Sequence, residues 1–213
     1  MEIAARVAAS LVWLGALGLI AVKSAPAASR WYQLQALGEA GLVAVATWDL
    51  KAPALGAVVA VIVVVKIWFI PWILRRLSPR GHSAYTGLQS LGPAATFGLA
   101  TLLTGGSLWV GLQVVPGLEV VAGIVVAAWL LALLHLSLRY ETWNLAWALL
   151  SVDTTSSALA SLLAPQQSIS LAIGVTLVGL ALAVLLVWLV SAVARVHSVF
   201  DVRRLNDLKE REG

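Results

Sequence analysis

The sequence predicts an all-α integral membrane protein with about seven transmembrane helices, the N-terminus outside and the C-terminus cytoplasmic. Three observations lead there. Of 213 residues, 61% are hydrophobic and 11% charged, where a soluble domain has about 45–50% and about 25%. The chain divides into apolar stretches of the length, about 17–25 residues, that crosses a bilayer. The basic residues then fall on one side of the membrane.

The stretches are 3–23, 32–48, 53–74, 85–111, 118–138, 143–163 and 168–194. The first carries Glu2 as well as Arg6 before its apolar run. Without a clearly positive start it is read as a retained helix rather than a signal peptide. Short polar connections follow: Lys23–Arg30, Asp49–Pro53, Arg75–His82, Gln113–Glu119, Arg139–Glu141 and Ala164–Gln167. Pro26, Pro53, Pro79, Pro116 and Pro165 lie in or beside them, as helix-stopping residues should. Pro71 falls inside the end of the third stretch and predicts a kink or a fray. Only the tail, 195–213, is strongly polar, and no internal repeat stands out.

With an odd number of crossings, eleven of the fourteen basic residues share the side of the C-terminus: Lys23, Arg30, Arg75, Arg76, Arg80, Arg139, Arg195, Arg203, Arg204, Lys209 and Arg211. Arg6 and Lys51 are on the other. The positive-inside bias places the first group in the cytoplasm. Six or eight helices would scramble this asymmetry.

The remaining basic residue, Lys66, sits in the middle of the third stretch, and Glu39 and Asp153 share its depth in the second and sixth. An ionisable group at mid-membrane costs about 2.5–3.5 kcal/mol on insertion scales. Two readings stay open. Glu39 and Lys66, on adjacent helices, form a buried ion pair that fixes packing. Alternatively these residues hold or relay protons, because desolvation disfavours the charged form of both types. Gln35 is one turn before Glu39 and shares its face; an interhelical hydrogen bond explains it equally. Seven of the eleven residues 151–161 carry a hydroxyl or carboxylate. Asp153, Ser157 and Ser161 form a stripe that must face helices or a hydrated cavity rather than lipid. His135 lies near the cytoplasmic end of the fifth stretch, either as hydrogen-bonded structure or as a relay. Trp31, Trp48, Trp109 and Trp143 read as interfacial anchors, and Trp68, Trp129 and Trp188 as deeper packing.

The chain has no cysteine, which removes disulfides, thiolate metal sites and iron–sulfur ligation. No P-loop, haem-ligand pair, Ser/His/Asp set, HExxH or aspartate-rich metal site is present. No catalytic residue, cofactor or metal is expected on this chain, and no nucleic-acid partner.

Residues 197–209 read His-Ser-Val-Phe-Asp-Val-Arg-Arg-Leu-Asn-Asp-Leu-Lys. This resembles the tail of the hydrogenase-4 component E family, where His precedes a Leu/Phe-Asp-Val-x-x-Leu-x-x-Leu pattern. Val22-Lys23-Ser24, then Tyr32, Gln35 and Leu37, then Lys66 with Pro71, then Gly92-Pro93-Ala94, agree with that family in order. Asp153 falls where the family has an intramembrane carboxylate. Residues 1–80 are similar to the three-helix K subunit of complex I and the C subunit of multisubunit antiporters. Residues 81–194 would be a four-helix membrane region and 195–213 a cytoplasmic tail. Those small subunits carry carboxylates in their second and third helices, whereas this chain has Lys66 in the third.

The resemblance implies a non-catalytic, multi-pass subunit of the inner (cytoplasmic) membrane, in a complex I-like machine related to group 4 nickel–iron hydrogenases and formate hydrogenlyase. Its partners would be antiporter-like membrane subunits and hydrogenase-like redox subunits, and these would hold the nickel–iron and iron–sulfur centres. Glu39, Lys66 and Asp153, with Gln35, His135 and Ser157, would contribute to proton or sodium translocation. The alternatives are a purely structural scaffold of the membrane arm and a stand-alone small transporter.

Overall fold

A computed structural model describes residues 2–22, 24–49, 55–77, 92–114, 118–138 and 142–163, and positions 174, 178, 179, 181, 182, 184–186, 188, 189 and 192. Every element in the described residues is a helix. These are α1 (Glu2–Ala21), α2 (Ala25–Asp49), α3 (Leu55–Val61), a π-helical stretch (Ile62–Phe69), α4 (Ile70–Leu77), α5 (Pro93–Val114), α6 (Glu119–Leu138) and α7 (Thr142–Leu163). α3, the π stretch and α4 run on without interruption as one span. Six of the seven expected spans are thus helical, and the described positions of the last, 168–194, are helical too. The rest of that stretch, the N-terminal part of 85–111 and the tail 195–213 lie outside the described residues.

Four spans are long and apolar enough to cross a membrane: Glu2–Ala21, Gly56–Arg76, Pro93–Gly111 and Glu119–Leu138. α2 and α7 are long enough but less apolar, because they carry Gln35 and Glu39, and Asp153 with its neighbouring hydroxyls. Both are packed among the others. α1 lies on α2 and α6; α6 also on α5 and α7; α7 also on α2; and the π stretch on α2. Helices from either side of residue 80 therefore share one core, which includes Ala9, Val12 and Ala16 of α1, Val125 and Leu131 of α6 and Ala158 of α7.

Close approach is set by small residues. A methyl added to Gly38 would come within 2.6 Å of the Ala8 carbonyl oxygen, so α1 and α2 meet backbone to backbone there. Gly111 and Gly123 bring α5 onto α6 in the same way.

One expectation is corrected, and of the two outcomes expected at Pro71 the fray is not seen. The connection expected at Lys23–Arg30 is mostly helix: α2 begins at Ala25, and the Ser24 carbonyl accepts the first helical bond from Ala28 N at 2.9 Å. Pro26 sits in the opening turn, where no N–H is needed, so a proline read as punctuation is a helix starter. Pro71 neither ends nor frays its helix. It is buried, the chain stays helical to Leu77, and the backbone adapts ahead of it by widening into the π stretch.

Candidate functional site

Lys66 is held between two carboxylates. Its Nζ donates to Glu39 Oε1 at 3.0 Å and Oε2 at 3.1 Å, and lies 2.9 Å from Asp153 Oδ2. Glu39 is fully buried, Lys66 is 3% exposed and Asp153 19%. Each is near the midpoint of its helix. Removing an ion from water costs several kcal/mol even after relaxation. Here one ammonium offsets that cost for two carboxylates, and if all three are ionised the cluster keeps one net negative charge.

Polar groups of α2 and α7 surround the triad. The Ser157 hydroxyl lies beside the Glu39 carboxylate. Gln35 Nε2 donates to Ser151 Oγ at 3.0 Å. The Thr154 hydroxyl is 3.5 Å from the Tyr32 hydroxyl, and the Tyr32 ring lies 5.6 Å from that of Trp147. Tyr32 with Trp147, Gln35 with Ser151, and Glu39 with Ser157 pair in rising order on both helices, so α2 and α7 run parallel. Beneath Asp153 lies Gly179: an added methyl would meet the two carboxylate oxygens at 2.8 and 2.9 Å.

The π stretch positions the lysine. In an α-helix the proline ring at 71 would press on the carbonyl of residue 67, and it offers that carbonyl no N–H. The chain takes the wider turn instead, with Ile70 N–H bonded to Val65 O, five residues back. The Ile67 carbonyl receives its bond from another helix, Gln33 Nε2 on α2 at 2.8 Å. In a bilayer such freed backbone groups need a partner from the protein. Short π segments occur often at functional sites, and this one contains Lys66.

Of the residues singled out from the sequence, Glu39, Lys66 and Asp153 come together, with Ser157 and Gln35 beside them. His135 is buried on α6, which packs on α1 and α5 and, of the elements that carry the triad, on α7; it is not one of the groups gathered around Lys66. Ser161 turns back to the Ala158 carbonyl at 2.7 Å. Tyr32 joins the site from seven residues before Glu39, on the same helical face; Ser151 and Thr154, two before and one after Asp153, join it without such a spacing. Gln33 and Gly179 carry no such signal. Trp68 and Trp188, expected as deeper packing, are 71% and 61% exposed. Lys66 turns inward, and Trp68, two residues on, lies on the opposite side of the span and faces out. Trp129 does reach across helices, donating to Ser156 Oγ at 3.0 Å.

No protein-family model matches the chain, and no curated protein or solved structure matches it either.

Proposed function

We propose that this chain is a membrane subunit that contributes to proton or sodium translocation across the bilayer centre along Glu39, Lys66 and Asp153. The observation that supports this most is the buried ammonium between two carboxylates at 3.0 and 2.9 Å. One lysine can pass its pairing from one carboxylate to the other; the carboxylate left unpaired then takes up a proton from its surroundings and gives it back when the ammonium returns. Asp153, the more exposed, is the side from which the cluster exchanges with its surroundings. Glu39, sealed from solvent, is the inner partner.

The sequence resemblance to hydrogenase-4 component E supplies the setting of the proposal. The chain would sit in the inner (cytoplasmic) membrane, with its N-terminus outside and its tail in the cytoplasm. It would dock antiporter-like subunits and hydrogenase-like redox subunits of a complex I-like assembly, whose metal centres lie in those partners. This chain supplies no redox chemistry of its own, and the transported ion is a proton or sodium. A tagged copy purified in mild detergent should bring down such partners, identified by mass spectrometry. Recovery of the chain alone would count against the assembly and favour a stand-alone transporter.

One observation favours a second, structural reading. Lys66 has acceptors on both sides and Asp153 is packed against Gly179, so the triad also serves as a rivet between three helices. In that case neutralising variants would lose assembly without a separate defect in ion movement.

A further inference from the structure

The π-helical stretch Ile62–Phe69 joins two halves of one span that are anchored separately. α3 and the first π residue are anchored on α2 through Val58 and Ile62, packed with Ala40 and Val43. α4 is anchored through Ile70 and Leu74, packed with Ala28, Tyr32 and Trp147. Between them the backbone holds one residue more than an α-helical path needs. Three features keep it there. Pro71 disfavours the tighter turn, the Gln33 side chain occupies the Ile67 carbonyl at 2.8 Å, and Glu39 and Asp153 hold the Lys66 ammonium. Against them stands the ordinary preference of an apolar helix for α geometry.

We propose that Ile62–Phe69 is a two-register segment, latched by Gln33, which inserts Lys66 between Glu39 and Asp153 in its wide register and withdraws it in the α register. One residue corresponds to about 100° of helix rotation and about 1.5 Å of rise. A change of register with α4 kept in place therefore turns Lys66 and Ile62 away from α2. Gln33 is a positioning residue: it touches neither carboxylate and acts through the turn that carries the lysine. As a gate on the ion path this rests on the function proposed above; as a two-register helix it stands on the geometry alone.

The absence of native cysteine permits a direct test by disulfide cross-linking of the full chain in native membranes. The pair Ala40→Cys/Ile62→Cys reports the α3 end, and Ala28→Cys/Leu74→Cys reports the α4 end. Both should cross-link in the parent. Pro71→Ala restores an N–H for the Ile67 carbonyl and relieves the ring contact. Combined with Gln33→Leu it favours the α register while leaving no backbone group unpaired. The expected result is loss of the 40/62 cross-link with the 28/74 cross-link retained. Retention of both would overturn the proposal, and loss of both would mean that the span undocks as a whole, which also overturns it. Proton flux in the same membranes is read separately. A lost 40/62 cross-link with unchanged flux would leave the two registers standing and count against the function proposed above.

Discussion

Lys66 Nζ lies 2.9 Å from Asp153 Oδ2, so the third span of the chain is tied to the sixth by charge. Without that contact Glu39 and Lys66 would be a simple pair between neighbouring helices. With it, the ammonium becomes the shared member of a three-helix cluster, and the effect of changing any one residue depends on the other two.

Lys66→Met should be the most destabilising of the single neutralising changes, because it leaves Glu39 and Asp153 facing each other in a buried site. Removing one partner of a buried ion pair costs about 3–5 kcal/mol. Asp153→Asn should cost less, since Glu39 still pairs with the lysine and Asp153 is the most exposed of the three. Adding Glu39→Gln and Asp153→Asn to Lys66→Met should recover part of the loss. Thermal unfolding in detergent, analysed as a mutant cycle, measures this coupling; additive losses would contradict the shared cluster.

Gly179→Ala places a methyl 2.8 and 2.9 Å from the Asp153 carboxylate oxygens. The side chain must shift, and overpacking of this kind costs about 1–3 kcal/mol. In an Asp153→Ala background the same change should be nearly neutral. Equal losses in both backgrounds would show that Gly179 is not packed on that carboxylate.

Gly38→Ala should push α1 from α2 at the Ala8 carbonyl, 2.6 Å from the new methyl, again at about 1–3 kcal/mol. Gly98→Ala meets nothing within 4 Å and should be neutral or stabilising by up to about 1 kcal/mol, the difference in helix propensity. The unfolding midpoints of the two variants test the packing directly.

Gln35→Leu removes the amide bond to Ser151 at 3.0 Å. Hydrogen bonds between membrane helices average about 0.6 kcal/mol, so the loss should be small and should shrink in a Ser151→Ala background, which keeps only the longer bond to the Ser151 carbonyl at 3.4 Å. A larger loss that persists there would give Gln35 a second role.

Much of the scaffold was legible because its cause is local. Apolar length marked the spans, and α6 and α7 start and stop within a residue of the boundaries expected from composition. The charged trio was legible through its depth, since three ionisable residues at matching positions along their helices demand partners. What escaped the sequence depends on tertiary context. Whether a proline starts a helix, as Pro26 does, or widens one, as Pro71 does, turns on which backbone groups find partners nearby. The Gln33 amide does so through the Ile67 carbonyl, which no residue pattern marks. The outward turn of Trp68 follows from the inward turn of Lys66, and an apolar helix hides that facing until its neighbours are known. Gly179 sits in a stretch with no charge at all, and its place under Asp153 is a matter of packing.

The most direct test is proton translocation by energised membrane vesicles carrying Asp153→Asn, the mildest of the neutralising changes, with the co-purifying subunits checked by mass spectrometry in the same preparation. The account predicts that the complex assembles with its full set of partners and that proton movement is lost. Unchanged proton movement in an intact complex would contradict it, and would leave Glu39, Lys66 and Asp153 as a device that only holds three helices together.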